Sequence, residues 1–157
     1  FKIHNSKFKI TQVTVCTAVH YTLNGREFRT KFPDAKACLP VKNRHGGADL
    51  LPWGRRRQQL GRLPLGGWAR LDAIYGGRWD RWRPIPVKLL VSQFMEVDME
   101  GRSHWFDVTP GKWIQGLVAH WERERRVYVV TITPEMEDAA YERWPRILSH
   151  NATADIS

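Results

Sequence analysis

The chain has 157 residues, 42% of them apolar, and a formal net charge of +9. This length fits one domain with one hydrophobic core, and the apolar share excludes a fully disordered chain. No apolar run approaches the roughly 18 residues that span a bilayer, and two cysteines are too few for a disulfide scaffold. We expect a cytoplasmic, monomeric protein that needs no membrane, metal or cofactor.

The positive charge is concentrated in the first half of the chain. Residues 51–83 carry eight arginines and no lysine against two acids, whereas residues 84–157 carry eight basic residues against eleven acids. Such one-sided basicity indicates a polyanionic partner such as nucleic acid, although it also describes many proteins that have no such partner.

The first half of the chain reads as one hairpin followed by loops. Period-two alternation of β-branched residues predicts a strand over 13–22. Asn24 and Gly25 supply the two positive-φ positions of a tight turn. Prolines and glycines predict loops over 33–47, and further glycines predict an irregular segment over 51–83.

The second half predicts four strands and one helix. The strand-like runs are 87–98, 102–108, 113–121 and 125–133, with turns at 100–101 and 122–124. A helix is expected over 134–144, capped by Thr133 and stopped by Pro145. The pattern as a whole predicts a mainly β single domain, an antiparallel barrel-like core with few short helices.

The segment 51–83 interleaves four tryptophans with its eight arginines, and two interpretations are open. Single-stranded nucleic acid is held by cations along its phosphates and by aromatic faces on its bases, and arginine forks onto phosphate better than lysine. Alternatively, the tryptophans are core residues with arginines lying around them. Taken singly, most of the tryptophans fit the core better, whereas the all-arginine bias favours phosphate binding. The four are Trp53, Trp68, Trp79 and Trp82.

Cys16 and Glu96 are the candidates for chemistry. A lone cysteine in a strand is usually a small buried hydrophobe, and a reactive one needs a base beside it. Alternation puts Glu96 on one face with Phe94. If that face is buried, desolvation raises the pKa of Glu96 and suits it to general acid–base work; the face equally fits the wet side of an edge strand. His104 and Cys38 are interpreted as structural.

Five stretches together resemble the SOS-response-associated peptidase (SRAP) family, whose members are β-rich single domains that crosslink to abasic sites in single-stranded DNA. Their order and spacing carry the resemblance, which covers the chain from Cys16 to about Leu148. Accordingly, residues 16–150 are expected to form the domain, with 1–15 as an upstream extension or leader and 151–157 as a tail. The stretches are Cys16-Thr17, Pro52-Trp53-Gly54, Trp68-Ala69-Arg70-Leu71-Asp72, Phe94-Met95-Glu96 and residues 131–148.

The resemblance implies a mechanism and a set of site residues. As in the family, the α-amine and thiol of an N-terminal Cys16 would close a thiazolidine with the ring-opened abasic sugar, and Glu96 would shuttle protons. Arg70 would hold a flanking phosphate. Self-processing peptidase activity is also implied. The remaining implied residues are Trp53 and Trp68 as wedges against the bases, Arg143 as a DNA contact, and Tyr141 at the position of a catalytic family histidine.

The chain departs from the family pattern at three positions. Fifteen residues precede Cys16; because the valine codon GTG can also start translation as methionine, we hypothesise that the natural start is Val15. Trp68 replaces a family asparagine. Tyr141 replaces a histidine, and a tyrosine mostly donates a hydrogen bond near neutral pH, so crosslinking is expected to survive while release or self-cleavage is impaired.

Two other functions remain open from the residues alone. One is a non-covalent single-stranded nucleic-acid-binding module that uses segment 51–83, and the other is an interaction domain whose basic patch is incidental. The charge distribution predicts that Arg70→Ala weakens single-strand binding. Substitution of Arg123, which lies in the acidic half of the chain, is expected to have no effect.

Overall fold

A computed structural model describes residues 17–134 and 140–150. These residues form twelve strands, one short α-helix, α1 (Leu71–Tyr75), and a 3-10 helix at Asp80–Trp82. The first six strands are β1 (Ala18–Leu23), β2 (Arg26–Lys31), β3 (Cys38–Lys42), β4 (Ala48–Pro52), β5 (Trp68–Arg70) and β6 (Ile85–Leu89). The other six are β7 (Gln93–Val97), β8 (Ser103–Asp107), β9 (Lys112–Trp121), β10 (Glu124–Ile132), β11 (Trp144–Pro145) and β12 (Ile147–Ser149).

The strands form two sheets, which confirms the mainly β prediction. The smaller sheet has the order β2-β1-β7-β8, and the larger runs β11-β10-β9-β6-β3-β4, with β12 on β9 and β5 parallel to β10. The expected barrel-like closure is wrong, because neither sheet closes. The end of β4 meets β10 only at an isolated bridge between Trp53 and Val127. Beyond that bridge β5 occupies β10 from Val129 to Thr131, so β4 has no continuous edge to join.

The predicted hairpin turns are confirmed. Asn24 and Gly25, at φ 52° and 78°, link β1 to β2, with Leu23 opposite Arg26. This is the pair of positive-φ residues that a two-residue hairpin needs. In the turn between β9 and β10, Glu122 has φ 53°, and the turn between β7 and β8 contains Gly101 at φ 83°.

Strand β3 lies within residues 33–47, which were expected to be loop. Pro40 lies in the middle of β3 and is buried together with Leu39 and Val41. Proline lacks an N–H, but its carbonyl still accepts a hydrogen bond from the Leu90 N–H at 3.0 Å. The burial of apolar side chains therefore outweighs the tendency of proline to interrupt a strand.

The run 87–98 was expected to be one strand and is two. β6 belongs to the larger sheet and β7 to the smaller one. The chain changes sheets between them, where Leu90 N–H donates to Pro40 of β3 and Ser92 N–H donates to His20 of β1. Alternation of apolar and polar residues does not show which strand each half of the run will pair with. The break between β6 and β7 therefore could not be predicted from the pattern.

The helix expected over 134–144 is wrong at its C-terminal end. Trp144 and Pro145 form β11, paired with Ile132 and Thr131 of β10. Residues 140–142 form a turn and bend, and residues 135–139 lie outside the described residues. Burying Trp144 against the two phenylalanines of β7 and β8 outweighs local helix signals, as tertiary packing commonly does.

The core consists of two clusters of buried side chains. One fills the space around Trp53, Phe94 and Val127, and the other surrounds Leu63 and Tyr128. Trp53, Phe94 and Tyr128 are all at most 1% exposed. Among the described helices, none combines the length and apolar character required to cross a bilayer.

Candidate functional site

Glu96 is almost completely buried in an internal strand. It lies on β7, between β1 and β8, and only 1% of its surface is exposed. Phe94, on the same face, is equally buried, whereas Met95 and Val97 on the other face are partly exposed. The predicted alternation is confirmed, and the alternative of an edge strand with a wet carboxylate is wrong.

Strand β1 runs antiparallel beside Glu96. Ala18 pairs with Met95, and Val19 pairs with Phe94, so the start of β1 lies one position along β7 from Glu96. Ala18 and Val19 are buried. Cys16 comes two residues before Ala18 in the sequence and lies outside the described residues.

His104 stands on the other side of Glu96, as its register partner on β8. Opposite residues of an antiparallel pair share a face, with Cβ atoms about 4.5–5.5 Å apart. His104 Nε2 lies 2.8 Å from Oδ2 of Asp98. Asp98 also accepts hydrogen bonds from the backbone N–H groups of Arg102 and Glu100. The N–H of Arg102 and then His104 are the main causes that lower the pKa of Asp98 to about 2.

Sequence reasoning missed this arrangement. It treated His104 as structural and did not single out Asp98. Two signals were available: Glu96 and Asp98 alternate onto one face of the strand, and the turn at 100–101 folds β8 back so that His104 returns beside them. The His104 side chain is 44% exposed, whereas that of Asp98 is 10% exposed.

Aromatic side chains continue the face that carries Glu96 and His104. Phe94 and Phe106 stack with centroids 5.5 Å apart, and Trp144 meets their edges at 5.2 and 5.0 Å. Tyr141 packs 5.8 Å from Phe106 and 6.4 Å from the His104 ring. The structure therefore brings the predicted residues Glu96 and Tyr141 to one site, with His104 between them.

Arg70 and Arg143 meet at the far end of β10. Arg70 is the register partner of Thr131, and its guanidinium donates to both carboxylate oxygens of Asp72 at 3.1 and 2.9 Å. The guanidinium of Arg143 donates to the Thr131 carbonyl at 2.9 Å and to the hydroxyl oxygens of Thr131 and Thr133. Burial, together with the positive charge of Arg70, lowers the pKa of Arg143.

The predicted base-contacting tryptophans belong to the core to different degrees. Trp53 is 0% exposed, and its indole N–H donates to the Gly67 carbonyl at 3.0 Å. Trp68 is half-buried and packs 4.8 Å from Phe32 and 6.3 Å from Trp53. Trp53 is therefore a core residue, because its faces are covered by protein, and it does not contact bases as a surface residue would. Trp68 retains some exposed surface.

Two of the eight arginines in segment 51–83 donate hydrogen bonds to backbone carbonyls and so stabilise the fold. Arg56 is 8% exposed, donates to the carbonyls of Phe32 and Trp53, and lies 4.1 Å from the Phe32 centroid. Burial lowers its pKa. Arg55 donates to the carbonyls of Leu63 and Gln59. The other six are exposed, namely Arg57, Arg62, Arg70, Arg78, Arg81 and Arg83.

Cys38, at the start of β3, is half-buried. Burial raises its pKa, and the Cys38 carbonyl accepts a hydrogen bond from the Tyr21 hydroxyl at 3.1 Å. Over residues 17–134 and 140–150, no three His, Cys, Asp or Glu side chains are grouped so that they could hold a metal ion. Comparison with protein-family models, curated proteins and solved structures finds no match.

Proposed function

We propose that this chain senses abasic sites in single-stranded DNA by forming a covalent crosslink through Cys16, with an associated peptidase activity that frees the Cys16 amine. The observation that carries the proposal is the burial of Glu96 on the strand next to β1. A carboxylate held in a dry sheet interior can act as an acid or a base. Cys16 lies just upstream of β1 in the sequence.

The chemical step requires both groups of an N-terminal cysteine. The α-amine attacks the aldehyde of the ring-opened sugar, and loss of water gives a C=N bond. The thiol sulfur then bonds to that carbon, and its proton ends on the nitrogen. The products are a thiazolidine and one water molecule. Glu96 accepts the proton that leaves the amine and returns one to the departing oxygen.

His104 gives the buried carboxylate a route to solvent. Glu96 is 1% exposed, so it cannot exchange protons directly with bulk water. His104 faces it across the β7–β8 pair and is 44% exposed, and Asp98 holds its Nε2. A carboxylate partner of this kind fixes the orientation of an imidazole. His104 is thus a positioning and proton-exchange residue in the proposal.

The arginines at the end of β10 would receive the DNA backbone. Arg70 is exposed, so its guanidinium can reorient. Arg143 is hydrogen-bonded to Thr131, so its guanidinium is fixed. A phosphate between them would relieve their mutual repulsion. The ion pair between Arg70 and Asp72 must then break, which costs little because the pair is exposed. Tyr141 places its ring 6.4 Å from that of His104, and Trp68 supplies part of an indole face.

The test is a denaturing gel with an oligonucleotide that carries one abasic site. We expect a heat-stable adduct with a chain that begins at Cys16, and an intact mass equal to protein plus oligonucleotide minus one water. Cys16→Ala should abolish the adduct. Oligonucleotides whose abasic sugar has been reduced to the alcohol serve as controls, since they offer no aldehyde. An adduct that Cys16→Ala leaves unchanged contradicts the proposal.

The peptidase part has its own measurement. A chain that carries residues 1–15 before Cys16 should crosslink only after those residues are removed, because an internal cysteine has no free α-amine. Mass spectrometry of the purified protein over time would show the loss of that segment, and Glu96→Gln should prevent it. N-terminal sequencing of the natively expressed protein tests whether translation starts at Val15. A mature chain that begins at or before Phe1 contradicts that start.

The second candidate is a non-covalent single-strand-binding module. It is favoured by the six exposed arginines of segment 51–83. Salt-sensitive retention of undamaged single strands, without any adduct on abasic ones, would support this candidate over the first. Absence of both adduct and retention at moderate salt would support an interaction domain.

A further inference from the structure

A cavity of about 400 Å³ lies at the β9–β10 hairpin and is lined by Arg62, Trp121 and Arg123 among others. A second cavity, of about 380 Å³, is lined by Arg83, Ile85 and His120. His120 precedes Trp121 in β9, and neighbouring side chains of a strand point to opposite faces of the sheet, so we treat the two cavities as separate. We call the first cavity the hairpin-end groove.

Two half-buried indoles lie at the hairpin-end groove. Trp121 lines it, and Trp82 meets Trp121 edge to face with centroids 5.6 Å apart; neither indole is fully covered. The guanidinium carbon of Arg81 lies 4.5 Å from the Trp82 centroid. An indole that is partly exposed beside a cation can stack on a nucleic-acid base, and such a stack contributes about 1–3 kcal/mol per base in known single-strand binders.

The guanidiniums around this groove are available to a ligand. Glu124 lines the groove, but it is engaged by Arg126 at 2.8 Å and by the N–H groups of Arg62 and Leu63. Glu122 lines the groove as well. Within the described part of the chain, none of the following arginines forms an ion pair: Arg62, Arg81 and Arg123.

We infer that the hairpin-end groove is a second binding site for single-stranded nucleic acid, in which arginines contact phosphates and the indoles of Trp82 and Trp121 contact bases. The inference rests on the nucleic-acid partner of the proposed function but not on its covalent step. It also revises the role expected for Arg123, which the hairpin places in one cavity with Arg62 although it belongs to the acidic half of the sequence.

The groove and the Arg70–Arg143 pair lie at opposite ends of β10. Glu124 begins the strand at the groove, and Thr131 lies beside Arg70 and Arg143 at the other end. Seven residues of extended chain separate them, which corresponds to about 23 Å. A strand long enough to touch both ends should bind more tightly than one that touches a single end, because its second attachment is intramolecular.

The experiment measures binding of undamaged oligothymidylates of about 4 and about 16 nucleotides, the range of site sizes in single-strand-binding folds. The double variant Arg62→Gln/Arg123→Gln should lower affinity for the long strand at least about tenfold. It should also reduce the slope of log K against log salt by about 0.7 for each phosphate that the protein no longer neutralises. Trp121→Leu should weaken binding without changing that slope, and circular dichroism of each variant establishes that it is folded.

Arg26→Gln is the matched control. Arg26 is an exposed arginine that also lies over an aromatic ring, 5.6 Å from the Phe28 centroid, but it belongs to β2 of the other sheet. An equal loss for Arg26→Gln and for the double variant would overturn the inference, as would an unchanged salt slope in the double variant or tighter binding of duplex than of single strands. Because these oligonucleotides carry no aldehyde, failure of the crosslinking assay bears only on the covalent proposal.

Discussion

Glu96 and His104 are register partners on adjacent strands, one sealed in the sheet interior and the other open to solvent. A buried carboxylate alone has no means of exchanging protons, and an exposed histidine alone is an ordinary surface group. In the mechanism that we propose, their pairing, with Asp98 bonded to the histidine at 2.8 Å, lets protons pass from the interior to water. This relationship is the basis of the first two predictions.

Glu96→Gln should slow formation of the adduct about 10²–10⁴-fold, the usual contribution of general acid–base catalysis. His104→Gln should slow it less but should alter its dependence on pH, because glutamine cannot relay a proton as an imidazole can. Adduct formation against time at several pH values provides the measurement. Ser103→Ala, one residue away and exposed, is the control. A His104→Gln profile that is parallel to the wild-type profile would rule out the proton-exchange role.

Asp98→Asn should change the stability of the protein in acid. The folded-state pKa of Asp98 is lowered to about 2, below the ordinary value near 3.9. The carboxylate therefore stabilises the fold above about pH 4, and this contribution is lost as the pH falls toward 2. Urea denaturation between pH 2 and pH 7 should show a shallower acid decline in the variant. Identical curves for the two proteins would mean that the hydrogen bonds and ion pairs of the Asp98 carboxylate contribute nothing to folding.

Trp53→Ala should destabilise the fold by about 3–5 kcal/mol, as is typical of large-to-small changes at fully buried aromatics. Trp53 is 0% exposed and donates a hydrogen bond to Gly67. Trp82→Ala should cost clearly less, because Trp82 is only partly buried. Chemical denaturation measures both. Equal losses would place Trp82 in the core as well and would remove it from the proposed groove.

Gly54→Ala should be far more damaging than Gly46→Ala. Both glycines have positive φ, at 54° and 86°, and alanine costs about 1–2 kcal/mol in that region. A Cβ on Gly54 would also lie 2.1 Å from the Gly66 carbonyl oxygen, whereas a Cβ on Gly46 would meet no atom within 4 Å. Thermal melts should show a modest decrease for Gly46→Ala and a large decrease, or failure to fold, for Gly54→Ala.

Arg70→Gln and Arg143→Gln should separate binding from stability. The exposed ion pair of Arg70 with Asp72 contributes little to folding, so Arg70→Gln should reduce single-strand affinity and its salt slope by about 0.7 with little change in the melt. Arg143 bonds to the carbonyl and hydroxyl of Thr131, and its loss should lower both affinity and stability. A large drop in stability for Arg70→Gln would contradict the role given to its ion pair.

Features that depend on neighbouring residues could be predicted from the sequence. The Asn24-Gly25 turn follows from the backbone preferences of two adjacent residues, and the shared face of Phe94 and Glu96 follows from the two-residue period of a strand. The mainly β character follows from the same alternation. None of these features requires knowledge of which strand lies beside which.

Features that depend on strand partners were decided only by tertiary structure. Pro40 lies in a strand because burial outweighs its missing donor, and Trp144 ends in a strand because two phenylalanines cover it. Arg123 joins Arg62 in one cavity only through folding of the chain. Such pairs link residues that are distant in sequence, and their free energy comes from burial and pairing that no local pattern encodes. The sequence by itself therefore determined the fold class and the face on which Glu96 lies, whereas the folded chain determined that this face is buried and which charged groups stand beside it.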